Sequence, residues 1–299
     1  MDYGVFLPVS GAAATRQGLI HAAQTAERLG FSTVWAADRI IIPWKIETDY
    51  AYSWSNSFIV PPEKPFLESM TALAFLAGAT ETIKLGVSVL VTTYREPVHW
   101  AKVAATIDRL SEGRFILGVG IGWMEEEFAA LGRGKIFAER ARVAEEQLLI
   151  ARNLFTEEHC SFEGEYYRYQ DIAFNPKCTI PIWCGGESRG AQRRAGVYGD
   201  AWFPYFARIA PEELAARYEN VKQSAGVREV KLNCCLSVEV TEQPVEQEPD
   251  RLRGTPEQLG AALERFADIG VEHVALQFLV GRYPERLRQM EALMPVIAG

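Results

Sequence analysis

Along this chain, short unbroken apolar runs alternate with longer stretches in which apolar residues return every three or four positions. The opening run "YGVFLP" has the continuous hydrophobicity of a strand buried on both faces. Leu19, Ala22, Ala26 and Leu29 then recur at helical spacing, and Gly30 supplies a helix stop. "STVWAA" predicts a second strand and "MTALAFLAGAT" a helix. "IKLGVSVLV" predicts a third strand, followed by the helix "PVHWAKVAATIDRLSEG" with Pro97 in its first turn. "RFILGVG" is a strand and residues 138–155 a long helix; "IPIWCGG" is a strand and "SRGAQRRAGVYG" a helix. "DAWFP" is a short strand before the helix "PEELAARYENVKQSAG". Residues 230–240 form a strand before "TPEQLGAALERFADIG", and "EHVALQFL" a strand before a last helix over 283–297.

That is eight strand–helix units in one series. Apolar strands alternating with helices indicate a parallel sheet covered on both sides. Eight units fit one α/β barrel of the TIM, or (β/α)8, type, and a doubly wound open sheet is the alternative. Three segments break the repeat. Residues 39–65 make a long loop after the second strand, with Trp44, Tyr50, Tyr52, Trp54 and Phe58 in it. Such aromatics are costly in solvent, so the loop reads as a pocket wall. "SFEGEYYRYQDI" reads as a hairpin turning at Gly164, before the fifth barrel strand. Residues 241–255 are polar and read as a mobile surface segment.

Charge and cysteine content narrow the class. A net charge of −8 and a pI near 5.3 argue against a nucleic-acid partner. No apolar run approaches the ~20 residues that span a bilayer, and the start "MDYGVFLPVSG" lacks the basic lead of a signal peptide. A cytoplasmic protein without membrane contact is the expectation. Cys160, Cys178, Cys184, Cys234 and Cys235 form no CxxC pair, and His21, His99, His159 and His273 are scattered. Neither a metal site nor a disulfide framework is expected.

In a barrel the chemistry sits where strands end and strand-to-helix loops begin. Two glycine loops stand there: "GVGIGW" leaves the fourth strand, and "CGGESRG" leaves the fifth and opens a helix. Glycine permits close backbone approach, and free N–H groups at a helix start attract phosphate. Arg133, Lys135, Arg189, Arg193 and Arg194 lie close by. Arg193 and Arg194 read as helix surface, and Arg189 as a phosphate contact. No lysine falls at a strand's C-terminal end, since Lys84 and Lys231 are at strand starts, and no GxSxG is present. Phosphate-holding loops, aromatic walls and few titratable groups suggest a bound cofactor that carries the chemistry itself.

"LGVSVLVTTYREPVHWAKVAATIDRLSEGRFILGVGIGWMEEEF" followed by "PIWCGGESRGAQRRAGVYGDAWFP" resembles the luciferase-like flavin monooxygenase superfamily, in its coenzyme F420-dependent oxidoreductase branch. The resemblance covers nearly the whole chain and implies a single (β/α)8 barrel domain over 1–299 that holds a deazaflavin or flavin across its C-terminal mouth. It implies that Ser88 and Val89 form a bulge with a non-prolyl cis peptide behind the ring. It places Ile121, Gly122 and Glu126 beside the ring and its tail, and Gly185, Gly186 and Ser188 in the phosphate loop. Asp38 matches the acidic residue ending the second strand. Arg39 stands where many F420-dependent relatives have a proton-transferring histidine. A homodimer is also implied.

Three functions compete on these residues. The first is an oxidoreductase moving a hydride between coenzyme F420 and a small organic substrate, apolar or planar to suit the aromatic loop. The second is an FMN-dependent monooxygenase supplied by a partner flavin reductase. The third is a flavin- or deazaflavin-binding protein without turnover. For the first, the candidate catalytic groups are Asp38, Arg39 and Glu126. Arg39 stays protonated and so would orient an anion rather than shuttle a proton, which would come from water or Glu126.

Overall fold

The computed structural model describes residues 1–49, 60–280 and 282–297. Of the aromatic loop, Tyr50, Tyr52, Trp54 and Phe58 lie outside the described residues, whereas Trp44 is described and exposed.

In chain order the elements begin with β1 (Asp2–Phe6), α1 (Arg16–Leu29), β2 (Thr33–Ala36), α2 (Ser69–Ala77), β3 (Lys84–Val91), α3 (Pro97–Leu110) and β4 (Phe115–Gly120). Next come α4 (Glu125–Ala130), α5 (Arg140–Thr156), β5 (Cys160–Glu163), β6 (Arg168–Ile172), β7 (Ile182–Cys184) and α6 (Arg189–Tyr198). The chain continues through β8 (Ala201–Trp202), β9 (Tyr205–Phe206), α7 (Pro211–Ala225), β10 (Lys231–Val240), β11 (Leu252–Gly254), α8 (Pro256–Asp268), β12 (Val271–Phe278) and α9 (Tyr283–Ile297).

Parallel pairing runs β1–β2–β3–β4–β7–β8–β10–β12, and β12 returns to β1. Among the described residues these eight strands close a TIM barrel, and the open-sheet alternative falls. β5 and β6 form the antiparallel hairpin, with Gly164 N–H donating to the Tyr167 carbonyl. Helix ends follow local chemistry. Thr15 accepts from the Gly18 N–H at 3.0 Å to start α1, and Gly30 ends it in the left-handed region at φ 88°. Thr255 and Gln258 form a capping box on α8.

The polar segment 241–255 is tied down, contrary to its composition. β11 within it pairs with β10, Val245 and the Gln258 side chain exchange two hydrogen bonds, and Arg251 reaches Glu239. β9, β11 and α4 are too short to show a period in sequence.

The lower barrel is plugged by Trp35 of β2, whose ring stands 4.6 Å from Phe203 and 5.2 Å from Trp183, centroid to centroid. Flanking strands yield to it. A Cβ on Gly4 would come within 2.4 Å of the indole, and one on Gly86 within 2.3 Å. The Trp35 N–H donates to His273 Nε2 at 3.2 Å, which puts the imidazole proton on Nδ1. Burial, with a smaller push from Lys84, lowers the His273 pKa from 6.5 to about 3. The imidazole is therefore neutral in the fold and charges only on unfolding at mildly acid pH. Stability from this group is complete above pH 6.5 and declines as pH falls towards 3, by up to about 1.4 kcal/mol per unit. Denaturant midpoints measured between pH 7 and 4 should show that slope, and His273→Leu should flatten it.

Candidate active site at the barrel mouth

The C-terminal mouth is organised around an irregularity in β3. Its pairing with β4 shifts register between Val87 and Leu90, and the Ser88–Val89 peptide is cis, as the resemblance implied. Val89 occupies a notch cut by three glycines of the neighbouring strands and loop. Cβ atoms built on Gly118, Gly120 and Gly185 would stand 3.4, 2.5 and 2.9 Å from the Val89 methyls. Here glycine is required by close approach, so "GVGIG" and "CGG" have a packing duty besides any contact with a ligand.

Gly185 and Gly186 lead directly into α6. Ser188 caps that helix by accepting from the Ala191 N–H at 3.2 Å, while the Arg189 and Gly190 N–H groups have no partner inside a helix. Ser188 and Arg189 are exposed, so the donors are available to an oxyanion. Gly186 has φ 97°, and a Cβ there would lie 2.8 Å from Ala191. A bulky residue at 186 therefore harms folding as well as ligand binding, and that substitution cannot separate the two. Arg193 lies on the exposed helix surface and pairs with Glu145 on α5, whereas Arg194, expected on that surface, is buried at 5% exposure and turned to the same carboxylate; Arg133 pairs with Glu96.

On the β4 side, the Ile121 carbonyl accepts from Thr93 Oγ1 at 3.2 Å, and Gly122 carries φ 76°. A Cβ on Gly122 would meet both Phe128 and Val91 at 2.8 Å. The segment thus lies flat against β3, with Ile121, Gly122 and Trp123 half-buried.

Asp38 and Arg39 do not pair with each other. Successive residues leave the strand end in opposite directions, and each finds its own partner. Asp38 is fully saturated: Arg95 donates to both carboxylate oxygens at 2.8 Å, Ser69 Oγ to one at 2.8 Å, and the Val91 N–H to the other at 2.9 Å. Its side chain has 0% exposure. Asp38 thereby fixes the end of β3 three residues after the cis peptide. Arg39 pairs with Glu127 of α4, lies 5.2 Å from the Trp123 ring centroid, and keeps 7% exposure.

Glu127 anchors a network that sequence reasoning missed. Its other oxygen accepts the Ile40 and Ile41 N–H groups at 2.8 and 3.2 Å, and the Tyr94 hydroxyl joins Arg39 at 2.8 Å. Burial, reinforced by Glu127, pushes the Tyr94 phenol far above 10. Glu126, next to it, accepts from the Glu47 and Thr48 N–H groups at 2.6 and 3.0 Å and from Thr48 Oγ1 at 2.8 Å. Slight burial raises its pKa, but those bonds outweigh it and leave the carboxyl below its ordinary value. Two adjacent carboxylates thus clamp the loop after β2. The "MEEEF" run was the only available signal, and it does not say which carboxylate turns inward. Arg95, in "TTYREP", gave none.

Chemically, the mouth offers an apolar shelf at Val89, oxyanion donors at the start of α6, and charged groups engaged with one another. Among the described residues, no three His, Cys, Asp or Glu side chains gather as a metal site, and no helix is long and apolar enough to cross a membrane.

Comparison with known proteins agrees with this geometry. A family model described as luciferase-like monooxygenase matches residues 1–253. An uncharacterized protein of Mycobacterium tuberculosis is 31% identical over 209 residues, covering 68% of this chain and 71% of its own. An F420-dependent glucose-6-phosphate dehydrogenase of Amycolatopsis mediterranei is 31% identical over 188 residues, 62% of this chain and 52% of its own length. In fold, an F420-dependent secondary alcohol dehydrogenase solved with an F420–acetone adduct superposes with TM-score 0.78 at 17% identity, covering 99% and 98% of the two chains. The chain belongs to the luciferase-like monooxygenase family.

Proposed function

We propose that this oxidoreductase moves a hydride between coenzyme F420 and a small organic substrate. One observation carries the reading: Val89 at the β3 bulge touches Gly185, so the apolar shelf adjoins the backbone donors that open α6. A flat ring has a face to lie on, and its phosphate has N–H groups within one loop of it. The likeness to F420-dependent relatives supports the deazaflavin, and an FMNH2-dependent monooxygenase of equal identity supports FMN as the alternative. Bound there, the deazaflavin supplies the two-electron chemistry. Ser88, Val89, Ile121 and Gly122 bound the ring, and Gly185, Gly186, Ser188 and Arg189 hold the phosphate.

In this reading Asp38 and Arg39 are positioning groups. Asp38 holds the shelf through the Val91 N–H, and Arg39 braces Trp123 while its charge is matched by Glu127. Glu126 retains the loop after β2 and, being held deprotonated by its three donors, is poorly suited to deliver a proton at neutral pH. The active form is a homodimer, for which light scattering should give about twice 33.4 kDa.

The test is a titration of the protein with coenzyme F420 and, separately, FMN, read by cofactor fluorescence. Saturable F420 binding, and bleaching of its visible band on adding an oxidisable substrate, is the expected result. Tight FMN binding with none for F420 would replace this reading by the reductase-supplied monooxygenase. Binding without turnover over a broad substrate panel would favour the non-catalytic one.

A further inference from the structure

The C-terminal helix α9 carries three side-chain polar atoms that are buried without a hydrogen-bond partner. Tyr283, Arg286 and Gln289 are spaced three apart and share a flank of the helix. The Tyr283 hydroxyl, Arg286 Nε and Gln289 Oε1 are each buried with no hydrogen-bond partner, and Gln289 as a whole is 8% exposed. A guanidinium has five N–H donors. Arg286 uses one of them, in a long 3.4 Å bond from Nη1 to the Phe6 carbonyl at the C-terminal end of β1. No carboxylate faces it among the described residues. Its one acidic neighbour in the first turn, Glu285, pairs with Arg288 instead.

The placement adds to the cost. Arg286 lies in the first turn of α9, where the helix's own N–H groups already concentrate positive potential. The exposed ring of His21 on α1 packs edge-on to Tyr283, with 6.4 Å between centroids, and offers no anion. Burial accordingly lowers the Arg286 pKa, with Tyr283 the one opposing influence. Arg286 as a whole is half-buried, but its Nε is shut away from solvent, and buried donors are ordinarily satisfied. Arg286 also lies beyond residues 1–253, the part that matches the family model.

We infer that the seam between α1 and α9, beneath the end of β1, is a binding site for a small oxyanion. Its guanidinium and phenol are the donors, and a phosphate or carboxylate group of a small-molecule ligand is the occupant. Arg286 supplies charge and a planar fork, Tyr283 a single O–H, and Gln289 turns its amide to suit. The site does not rest on the F420 reading, and substitution of Arg286 separates it from the phosphate loop at the start of α6.

The test uses the full chain at constant ionic strength. Inorganic phosphate and, in a separate arm, acetate are titrated, and binding is followed by calorimetry and by the rise in Tm. Saturable binding that Arg286→Met weakens supports the site, and the arm so weakened identifies the ligand group; binding at the start of α6 would not respond to that change. Arg286→Met should weaken it by roughly tenfold or more, the loss expected for a hydrogen bond to a charged group. In the absence of anion the same variant should melt no earlier than the parent, since it removes a charge without a counter-ion and a buried, unpartnered Nε. No saturable binding to the parent in either arm overturns the inference. So does an Arg286→Met protein that binds the anion as the parent does, whatever its Tm. Should that variant not fold, Tyr283→Phe, which deletes one oxygen, decides: unchanged affinity is the contrary result.

Discussion

Asp38→Ala is expected to lower the unfolding free energy by about 3–5 kcal/mol, the loss typical when one partner of a buried ion pair is removed. Arg95, 13% exposed, would retain as its one carboxylate partner Glu68, whose own side chain is 38% exposed and better solvated, besides a long 3.4 Å bond to the Val91 carbonyl. The Val91 N–H and Ser69 hydroxyl would lose their acceptor at the same time. The damage is local to the end of β3, so any cofactor binding at Val89 should suffer in the fraction that still folds. Glu68→Ala is the control. It removes the exposed partner of the same arginine together with the side-chain cap on α2, and should cost about 1–2 kcal/mol, still well below Asp38→Ala. Urea midpoints with unchanged m-values for both variants check the comparison, and equal losses would show that Asp38 is not the anchor.

Glu127→Gln is expected to have a comparable effect by a different route. The carboxylate has 0% exposure and gathers Arg39, the Tyr94 hydroxyl and two backbone N–H groups. An amide in its place cannot balance the guanidinium charge, and one of its two ends becomes a donor facing donors. A cost of about 3 kcal/mol or more follows for the single change. Pairing Glu127→Leu with Arg39→Met should recover part of it, because the double change leaves no lone charge behind. A double-mutant cycle should return a coupling of about 1–3 kcal/mol, and strict additivity would contradict the pairing. Arg39→Ala alone should reduce stability together with turnover, so turnover must be read per folded molecule.

Much of this architecture was legible in the order of residues alone. Strand and helix periods are local properties, set by which positions must face a core, and they revealed the eight units and the hairpin at Gly164 without knowledge of any long-range contact. The glycines at 118, 120, 185 and 186 were visible as exceptions to ordinary composition. So were Asp38 and Arg39, as charges ending an apolar strand. What each of them meets was not visible. Asp38 finds Arg95 across 57 residues, Arg39 finds Glu127 across 88, and Trp35 finds His273 across 238. Such pairs depend on how the barrel closes and which helix face turns inward, and neither is encoded in any short window. The polar run 241–255 shows the same limit in reverse: its composition suggests freedom, while its hydrogen bonds come from strands and helices elsewhere. Sequence by itself determined the eight strand–helix units, their punctuation and the candidate groups at the strand ends, because those follow from local propensity and solvation. Closure into a barrel was settled by the long-range pairing of β8, β10, β12 and β1. Only the tertiary structure decided that Asp38 and Arg39 part company and that Glu126 and Glu127 hold the loop after β2. It alone leaves Arg286 without a counter-charge, because charge pairing is settled by proximity in space.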